Sequence, residues 1–443
     1  MKKIAFFLLV GSMLVVTARA GEGDQTSEDN WPHWRGPLAN GTAPKGDPPV
    51  VWDEKKNIKW KAPLSGKGSA TPIVWGDQVF VLTAIESDRV AKADDLPKQD
   101  ARFQKKTTAP TNFYQFVVLS FDRKTGKLRW KQTATEAVPH EGHHPTHSYA
   151  AGSPTTDGQF LYVSFGSFGN YCYDLDGKLQ WKSDMGRLNT RLGWGEAVTP
   201  VIYGDFLLLN WDQEEGSALY CLNARTGETK WKADRDEKSS WNTPLVVEHK
   251  GKMQVILNGT NRVRGYDLET GKELWQCGGM TVNAIPSAVA SNGAVYCMSG
   301  YNGSNARAIS LDAIGDVTDS AKVLWRHDKG TPYVPSPLLV GDRLYFTQAN
   351  NALLTILDVK TGKPVLDRER LPGLTSLYAS PVAAAGRVYL VGRDGTALVL
   401  KQGDKLEVLA KNHFDDSVDA SPVVVGKQLF LRGEKNLYCI EEE

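Results

Sequence analysis

The chain of 443 residues has little of several features that mark common protein classes. Its formal net charge is only +1, because 52 basic residues balance 51 acidic ones. A nearly neutral chain has no general electrostatic attraction for nucleic acid. After residue 20, no apolar stretch is long enough to cross a bilayer as a helix. With 41% hydrophobic and 23% charged residues, the composition is typical of a globular protein and not of a disordered one.

Cysteine is also scarce, and its spacing excludes the common redox and zinc motifs. None of the five cysteines is adjacent to another and none forms C-x-x-C. Among them, Cys172, Cys221 and Cys439 each follow a tyrosine in a predicted strand, which indicates small buried packing groups. A disulfide between distant cysteines is the alternative. The five are Cys172, Cys221, Cys277, Cys297 and Cys439.

Local catalytic motifs are missing as well. The sequence contains no G-x-S-x-G, no P-loop and no G-x-G-x-x-G between a strand and a helix. The acidic loop 312–322 lacks the 12-residue EF-hand pattern that ends in glutamate. Enzyme classes that are recognised by a short motif are therefore disfavoured.

The first residues have the pattern of a secretory signal. Lys2 and Lys3 precede an apolar run at 4–16, and Ala-Arg-Ala at 18–20 has the small-x-small form of a cleavage site. We predict a signal peptide at 1–20 and an N-terminal leader at 21–49, with an uncleaved anchor as the alternative. We accordingly expect export to the periplasm or cell envelope.

What the chain does have is an internal repeat. A Ser/Thr/Ala-rich turn with a proline begins a hydrophobic strand eight times, and most repeats are 41 to 51 residues apart. The first spacing is longer, which indicates an insertion at 86–112; its mixed charges predict a solvated rim loop. The reference prolines are Pro72, Pro154, Pro200, Pro244, Pro286, Pro337, Pro381 and Pro422.

A second motif closes most of the repeats. Asp-x-x-Thr-Gly followed by a strand with tryptophan occurs at 122–130 and 267–275, and Asn replaces the Asp at 223–231. Asp bonds its own backbone and Gly accepts a positive φ, so this is hairpin chemistry. Each repeat then has four strands, A to D, and radially repeated four-stranded sheets form a β-propeller. We expect the D-strand tryptophans to pack between blades.

The two ends of the chain complement each other in this repeat. The eighth repeat stops at 437–440 without a D strand, whereas 57–64 is a D strand, with Trp60, that lacks A to C. We therefore predict an all-β fold: one eight-bladed β-propeller at 50–443, with four-stranded antiparallel blades, closed by pairing of the N- and C-terminal segments. We expect a monomer.

These repeats resemble the pyrroloquinoline-quinone-like (PQQ-like) family, whose signature is A-L-D-x-x-T-G-x-x-x-W. Residues 266–275 are the nearest match, and the resemblance covers 50–443. The opening 31–41 is similar to the start of exported PQQ-like proteins of planctomycete-type bacteria. The resemblance implies either a non-catalytic scaffold of the BamB type or a quinoprotein dehydrogenase that uses PQQ and calcium. The dehydrogenases carry an adjacent Cys-Cys pair, which this chain lacks, and their Glu, Asn and Asp calcium set finds no match by motif.

The loops from D strands to A strands should meet at one mouth of the central channel. Aromatic, amide and carboxylate groups gathered there suit a polar planar or sugar-like ligand; the alternative is that they plug the channel. The candidates are Tyr149, Arg191, Trp194, Glu196, Trp241, Asn242, Asn283, Tyr333, Tyr378 and Asp419.

Half of the histidines lie in one loop, at His140, His143, His144 and His147. Closely spaced imidazoles can bind zinc or copper, so this loop is a candidate metal site. Prolines and a glycine in the loop exclude a helical i, i+4 pair, and a solvated or hydrogen-bonded loop is the alternative.

The sequence thus predicts an exported, non-catalytic binding or scaffold protein of the cell envelope. We expect its partner to be an envelope protein or a small polar ligand, with no nucleic acid, no transmembrane segment and no cofactor. The alternative is a periplasmic dehydrogenase that uses PQQ with Ca²⁺ on alcohols or sugars.

Overall fold

The computed structural model describes residues 27–96, 107 and 109–442. The predicted signal peptide at 1–20 lies outside these residues, as does part of the insertion. In the described part, the helices are four short 3-10 turns at Ser27–Asp29, Ala93–Asp95, Gly166–Phe168 and Arg191–Gly193. None of them has the length and apolar character that a membrane-spanning helix needs.

Short strands make up the rest of the regular structure. In chain order they are β1 (Thr42–Ala43), β2 (Ile58–Pro63), β3 (Ile73–Trp75), β4 (Gln78–Val90), β5 (Asn112–Asp122), β6 (Leu128–Ala137), β7 (Thr155–Thr156), β8 (Phe160–Ser164), β9 (Asn170–Asp174), β10 (Leu179–Ser183), β11 (Val201–Tyr203), β12 (Phe206–Trp211), β13 (Ala218–Asn223), β14 (Thr229–Asp234), β15 (Leu245–His249), β16 (Lys252–Leu257), β17 (Arg262–Asp267), β18 (Glu273–Gly278), β19 (Val289–Ser291), β20 (Ala294–Ser299), β21 (Asn305–Ser310), β22 (Gly315–Asp316), β23 (Val323–His327), β24 (Leu338–Val340), β25 (Arg343–Thr347), β26 (Leu353–Asp358), β27 (Pro364–Arg370), β28 (Val382–Ala384), β29 (Arg387–Val391), β30 (Thr396–Lys401), β31 (Val408–His413), β32 (Val423–Val425), β33 (Gln428–Arg432) and β34 (Asn436–Ile440).

These strands form eight sheets with four antiparallel strands each, which confirms the predicted eight-bladed propeller; β1 and β22 each add one parallel strand to a sheet. Blade 1 is β3–β6, blade 2 is β7–β10, blade 3 is β11–β14 and blade 4 is β15–β18. Blade 5 is β19, β20, β21 and β23, blade 6 is β24–β27 and blade 7 is β28–β31. The short A strands of several neighbouring blades contact each other, for example β7 with β11 and β3 with β32, and they surround the channel.

Blade 8 joins the two ends of the chain, as predicted. It contains β32, β33 and β34, and β2 completes it as the outer strand. The pairing is antiparallel, with Trp60 opposite Cys439 and Ala62 opposite Leu437. The ring is thus held shut by backbone hydrogen bonds between segments almost 380 residues apart in sequence.

A repeated contact explains the Thr-Gly and tryptophan motifs together. The D-strand indole lies on the turn glycine of the next blade, and its Nε1 donates to a carbonyl of that turn. Trp181, for example, donates to Ala224 O at 2.8 Å and covers Gly227. The pairs are Trp60 on Gly126, Trp130 on Gly177, Trp181 on Gly227, Trp231 on Gly271 and Trp325 on Gly362. The expected packing of these tryptophans between blades is therefore found in five places.

Trp275 departs from this arrangement although it has the same sequence motif. Its indole is fully buried, covers Gly265 of its own blade and donates to Gln254 Oε1 at 3.0 Å. The C-to-D loop of blade 5, between β21 and β23, carries β22, which pairs in parallel with β18 at the outer edge of blade 4. This added strand occupies the position at which the C-to-D turn of the next blade would otherwise pack against the Trp275 indole.

Three details of the sequence prediction need correction. Part of the insertion 86–112 is strand, since Glu86 pairs with Tyr114 and Val90 with Asn112 in an extended hairpin. Pro286 is not equivalent to the other prolines, because Ser287 follows it whereas Ser or Thr precedes the others. All five cysteines are free and buried, so the disulfide alternative is wrong.

Candidate functional site

A ring of hydroxyl groups surrounds the channel where the A strands begin. One serine or threonine per blade lies there, and the backbone N–H of each member except Thr199 donates to the hydroxyl of the next blade's member. Seven of these bonds, between 2.8 and 3.1 Å long, link neighbouring blades. The ring residues are Thr71, Ser153, Thr199, Thr243, Ser287, Ser336, Ser380 and Ser421.

Within the described part of the chain, the hydroxyls of this ring donate no hydrogen bond, so their hydrogens are free to bind a ligand. A hydroxyl has one donor and two acceptor positions, and the ring bonds use only an acceptor position. All eight members line the cavity on the side of the D-to-A loops. The ring is thus a set of hydrogen-bond donors facing the cavity.

The floor of the cavity comes from the segment that sequence analysis assigned to the leader. Residues 31–47 run through the channel below the ring, where Trp31 pairs with Val74 of blade 1 and β1 pairs with β28 of blade 7. Trp34 lines the cavity. The segment therefore closes the channel at one end and leaves a cavity that opens toward the D-to-A loops.

Arg35 anchors this floor. Its guanidinium is fully buried and donates to Pro337 O at 2.7 Å and Pro381 O at 3.1 Å, next to two residues of the hydroxyl ring. Burial without a carboxylate partner within 4 Å in the described chain lowers the pKa of Arg35 to about 9. The floor thus carries a partly desolvated positive charge beneath the donors of the ring.

Aromatic side chains form the walls above the ring. Trp194 lies 6.4 Å from Trp241 between ring centroids, and Tyr301 lies 4.7 Å from Tyr333. Tyr378 packs under the Arg393 guanidinium at 4.0 Å, and its hydroxyl is 3.2 Å from Thr146 Oγ1. The cavity between them has a volume of about 410 Å³, which is within the usual size of a small-molecule site.

Five of the ten predicted mouth residues line this cavity: Trp194, Trp241, Tyr333, Tyr378 and Asp419. Of the rest, Asn242 is buried and donates to Ser240 Oγ and Ala284 O. Asn283 is buried at a positive φ of 58°. Arg191 begins a 3-10 turn outside the lining.

Tyr149 and Glu196 belong instead to a second, much smaller cavity beside the first. Glu196 accepts the backbone N–H of Ser167 at 2.7 Å. Burial raises its pKa to about 8 and that of the neighbouring Glu141 to about 7. Neither Tyr149 nor Glu196 lines the main cavity, so the ten predicted mouth residues do not form one site.

The four loop histidines do not gather into one ligand set. His144 and His147 line the main cavity, and His143 bonds the carbonyl of His144. His140 lies in the second cavity and bonds Leu188 O at 2.7 Å. In the described residues, the group with metal-binding geometry is His140 with Glu141 and Glu196.

Comparison with known families gives one broad match. The family model described as outer membrane protein assembly factor BamB, PQQ_2, matches residues 115–368 and 259–443. The chain belongs to this PQQ-like family. No curated protein sequence matches it.

Solved structures of this propeller type are distant in sequence. BamB from Moraxella catarrhalis has a TM-score of 0.52 and 13% identity, over 82% of this chain and 98% of that one. The computationally designed Ika8 protein has a TM-score of 0.51 and 11% identity, over 85% and 100%. Quinohemoprotein alcohol dehydrogenase from Comamonas testosteroni has a TM-score of 0.48 and 11% identity, over 94% and 81%. At these identities the likeness shows the fold alone.

The PQQ-like family includes dehydrogenases, so the fit of a calcium-held quinone was tested on the lining residues. Calcium takes about six to eight oxygen ligands, several of them carboxylates. The cavity lining has one carboxylate, Asp419, and Arg393 already binds it at 2.6 and 3.1 Å. Glu196 lies in the second cavity. This donor set does not fit PQQ held by calcium.

Sequence reasoning missed three parts of the main cavity: the hydroxyl ring, Tyr301 and Trp34. The ring had a visible signal, because Ser or Thr directly precedes seven of the eight reference prolines. Tyr301 lies after a B strand and not in a D-to-A loop. Trp34 lies outside the repeats, so no periodicity marked it.

Proposed function

We propose that this protein is an exported, non-catalytic binding protein that takes a saccharide of one or two rings in its mouth cavity. The observation that carries the proposal is a cavity with one end closed, aromatic walls and a ring of hydroxyl donors above its floor. Membership of a family described by an envelope assembly factor supports the location.

The chemistry of the lining matches a saccharide in two ways. A sugar ring presents an apolar C–H face, which packs on the face of an indole or a phenol. The hydroxyls and the ring oxygen of the sugar accept hydrogen bonds, and the serine and threonine hydroxyls around the channel supply the donors. Trp194, Trp241 and Trp34 provide faces at different heights of the cavity.

The side chains of the lining favour binding over catalysis. The only carboxylate among the described lining residues, Asp419, is paired with Arg393, and His147 bonds Glu196 O at 3.0 Å. Burial holds the pKa of His147 at about 4, so this imidazole stays neutral at physiological pH. Arg35 lies beneath the floor and does not line the cavity, so the lining itself is neutral and hydrogen-bonded and suits an uncharged polar ligand.

Binding is tested by tryptophan fluorescence with a panel of neutral mono- and disaccharides. We expect saturable quenching by at least one sugar, and a Trp194→Ala variant should bind it at least tenfold more weakly, about 1.4 kcal/mol. Tyr203→Ala is the matched control, because Tyr203 is exposed and lies in the first strand of blade 3, at its end remote from the hydroxyl ring.

Two results would contradict the proposal. No saturable binding by any sugar of the panel would reject a saccharide site, and equal binding by the Trp194→Ala variant would place the site elsewhere. A parallel arm with PQQ and CaCl₂ tests the dehydrogenase alternative: reduction of a dye with an alcohol or a sugar would establish that alternative.

A further inference from the structure

The second cavity, beside the mouth, has the size of a single ion. Its volume is about 20 Å³, and His140, Glu141 and Glu196 line it together with four glycines. A space of this size holds one water molecule or one metal ion. It lies between two D-to-A loops and the B-to-C loop of blade 2, apart from the saccharide cavity.

One imidazole and two carboxylates meet in this space. A ligand atom from each of His140, Glu141 and Glu196 lies within 4.8 Å of the other two. His140 Nε2 is 3.7 Å from Glu196 Oε1. Small shifts of these side chains bring such atoms to the distances of about 2.0 to 2.2 Å that zinc requires.

Two atoms of the cluster are buried without a hydrogen-bond partner in the described residues. They are His140 Nδ1 and Glu196 Oε1, on side chains that are 8% and 11% exposed. No lysine or arginine of the described chain lies within 4 Å of either carboxylate. Buried polar atoms are nearly always paired, so these two point to a ligand of positive charge.

The remaining atoms of the three side chains are held in position. Thr190 donates its hydroxyl to Glu141 Oε1 at 2.5 Å and its backbone N–H to Oε2 at 3.1 Å. Ser167 N–H donates to Glu196 Oε2, and His140 Nε2 bonds Leu188 O at 2.7 Å, which leaves Nδ1 as the ring nitrogen available to a metal. Partners of this kind orient the ligands of metal sites and are part of their design.

Gly166 is required for this arrangement. Its φ is +56°, and a Cβ at this position would overlap Glu196 Oε2. Any other residue would therefore push the carboxylate out of the cavity. The glycine lets the B-to-C loop of blade 2 approach the ligand set closely.

We propose that His140, Glu141 and Glu196 bind one divalent transition-metal ion, with Zn²⁺ as the expected metal. One nitrogen and two carboxylate ligands suit zinc, whereas calcium and magnesium take oxygen ligands in larger number. The ion fixes the loops that carry His147 and Trp194, and thereby orders one wall of the saccharide cavity. The site does not depend on the proposed function, since its binding is measured by itself.

The test uses untagged protein stripped of metal with a chelator. Zn²⁺ titration by calorimetry should give one site per chain, and Co²⁺ should give the visible absorption of a low-coordinate site. A Glu141→Gln/Glu196→Gln variant, which keeps the side-chain shapes, should lose at least about 100-fold in Zn²⁺ affinity. His143→Ala is the matched control, because His143 belongs to the same loop but not to the cluster, and its affinity should be unchanged.

A fold measurement accompanies each variant, because removing buried charge can alter stability. Circular dichroism should show the same β-sheet spectrum for all of them, and Gly166→Ala provides a second route to the same loss of Zn²⁺ binding. The proposal is overturned if the stripped wild-type protein takes up no stoichiometric Zn²⁺ or Co²⁺. It is equally overturned if the double glutamine variant binds as tightly as the His143→Ala control.

Discussion

A chain that begins at Ser65, and so lacks β2, should lose its cooperative unfolding transition. Removal of β2 takes Trp60 and Ala62 out of blade 8 and exposes β34, whose residues Leu437 to Ile440 are fully buried in the closed ring. Each such side chain contributes about 1.5 to 3 kcal/mol when buried. Their sum is comparable with the whole stability of a domain, about 5 to 15 kcal/mol.

Truncations at two other positions separate closure from the channel segment. A chain that begins at Ser27 should unfold like the longer protein. A chain that begins at Pro48 keeps β2 but loses Trp31, Trp34 and Arg35, so it should stay folded with a lower midpoint and lose ligand binding. Urea denaturation followed by circular dichroism measures all three chains. If the chain from Ser65 unfolds with the same midpoint and slope as the chain from Pro48, ring closure does not contribute to stability.

The contact between Trp181 and Gly227 should show strong coupling in a double-mutant cycle. Trp181 is 8% exposed, so Trp181→Ala should cost about 3 to 5 kcal/mol. Gly227→Ala should cost about as much, because a Cβ there would lie 2.5 Å from the indole and the backbone has a φ of +75°. Without the indole, only the backbone strain of about 1 kcal/mol remains. The double variant should therefore be more stable than the sum of the two single effects predicts, by about 2 to 4 kcal/mol.

Gly204→Ala is the control for the backbone strain of a non-glycine residue at a positive φ. Gly204 has a φ of +54°, and a methyl group added there would meet no atom within 4 Å, so the substitution should cost only the strain of about 1 kcal/mol. Chemical denaturation of the four proteins of the cycle and this control supplies the free energies. If the effects of Trp181→Ala and Gly227→Ala on the free energy of unfolding were strictly additive, the indole and the turn would not interact energetically.

The propeller could be predicted from the sequence because its signals are local and repeat. The Asp-x-x-Thr-Gly turn fixes a hairpin, and the tryptophan after it occupies the same place in five blades. The D strand at 57–64 has no blade of its own, and the blade that ends at 437–440 has no D strand. Counting the strands of each repeat therefore predicts that these two segments pair and close the ring. Trp275 and Pro286 were the exceptions. A repeat pattern shows neither the strand that is added beside Trp275 nor the shift of two residues at Pro286.

The sequence by itself therefore determined the number of blades, their strands, their closure and the membership of the PQQ-like family. Only the tertiary structure decided where the ligand cavity lies and which side chains face it. The D-to-A loops have no period, and single positive φ values, at Leu192 and Asn283, turn their side chains in directions that no pattern encodes. The hydroxyl ring and the floor made by Trp34 and Arg35 join residues that are tens to hundreds of positions apart, and such convergence exists only once the ring has closed.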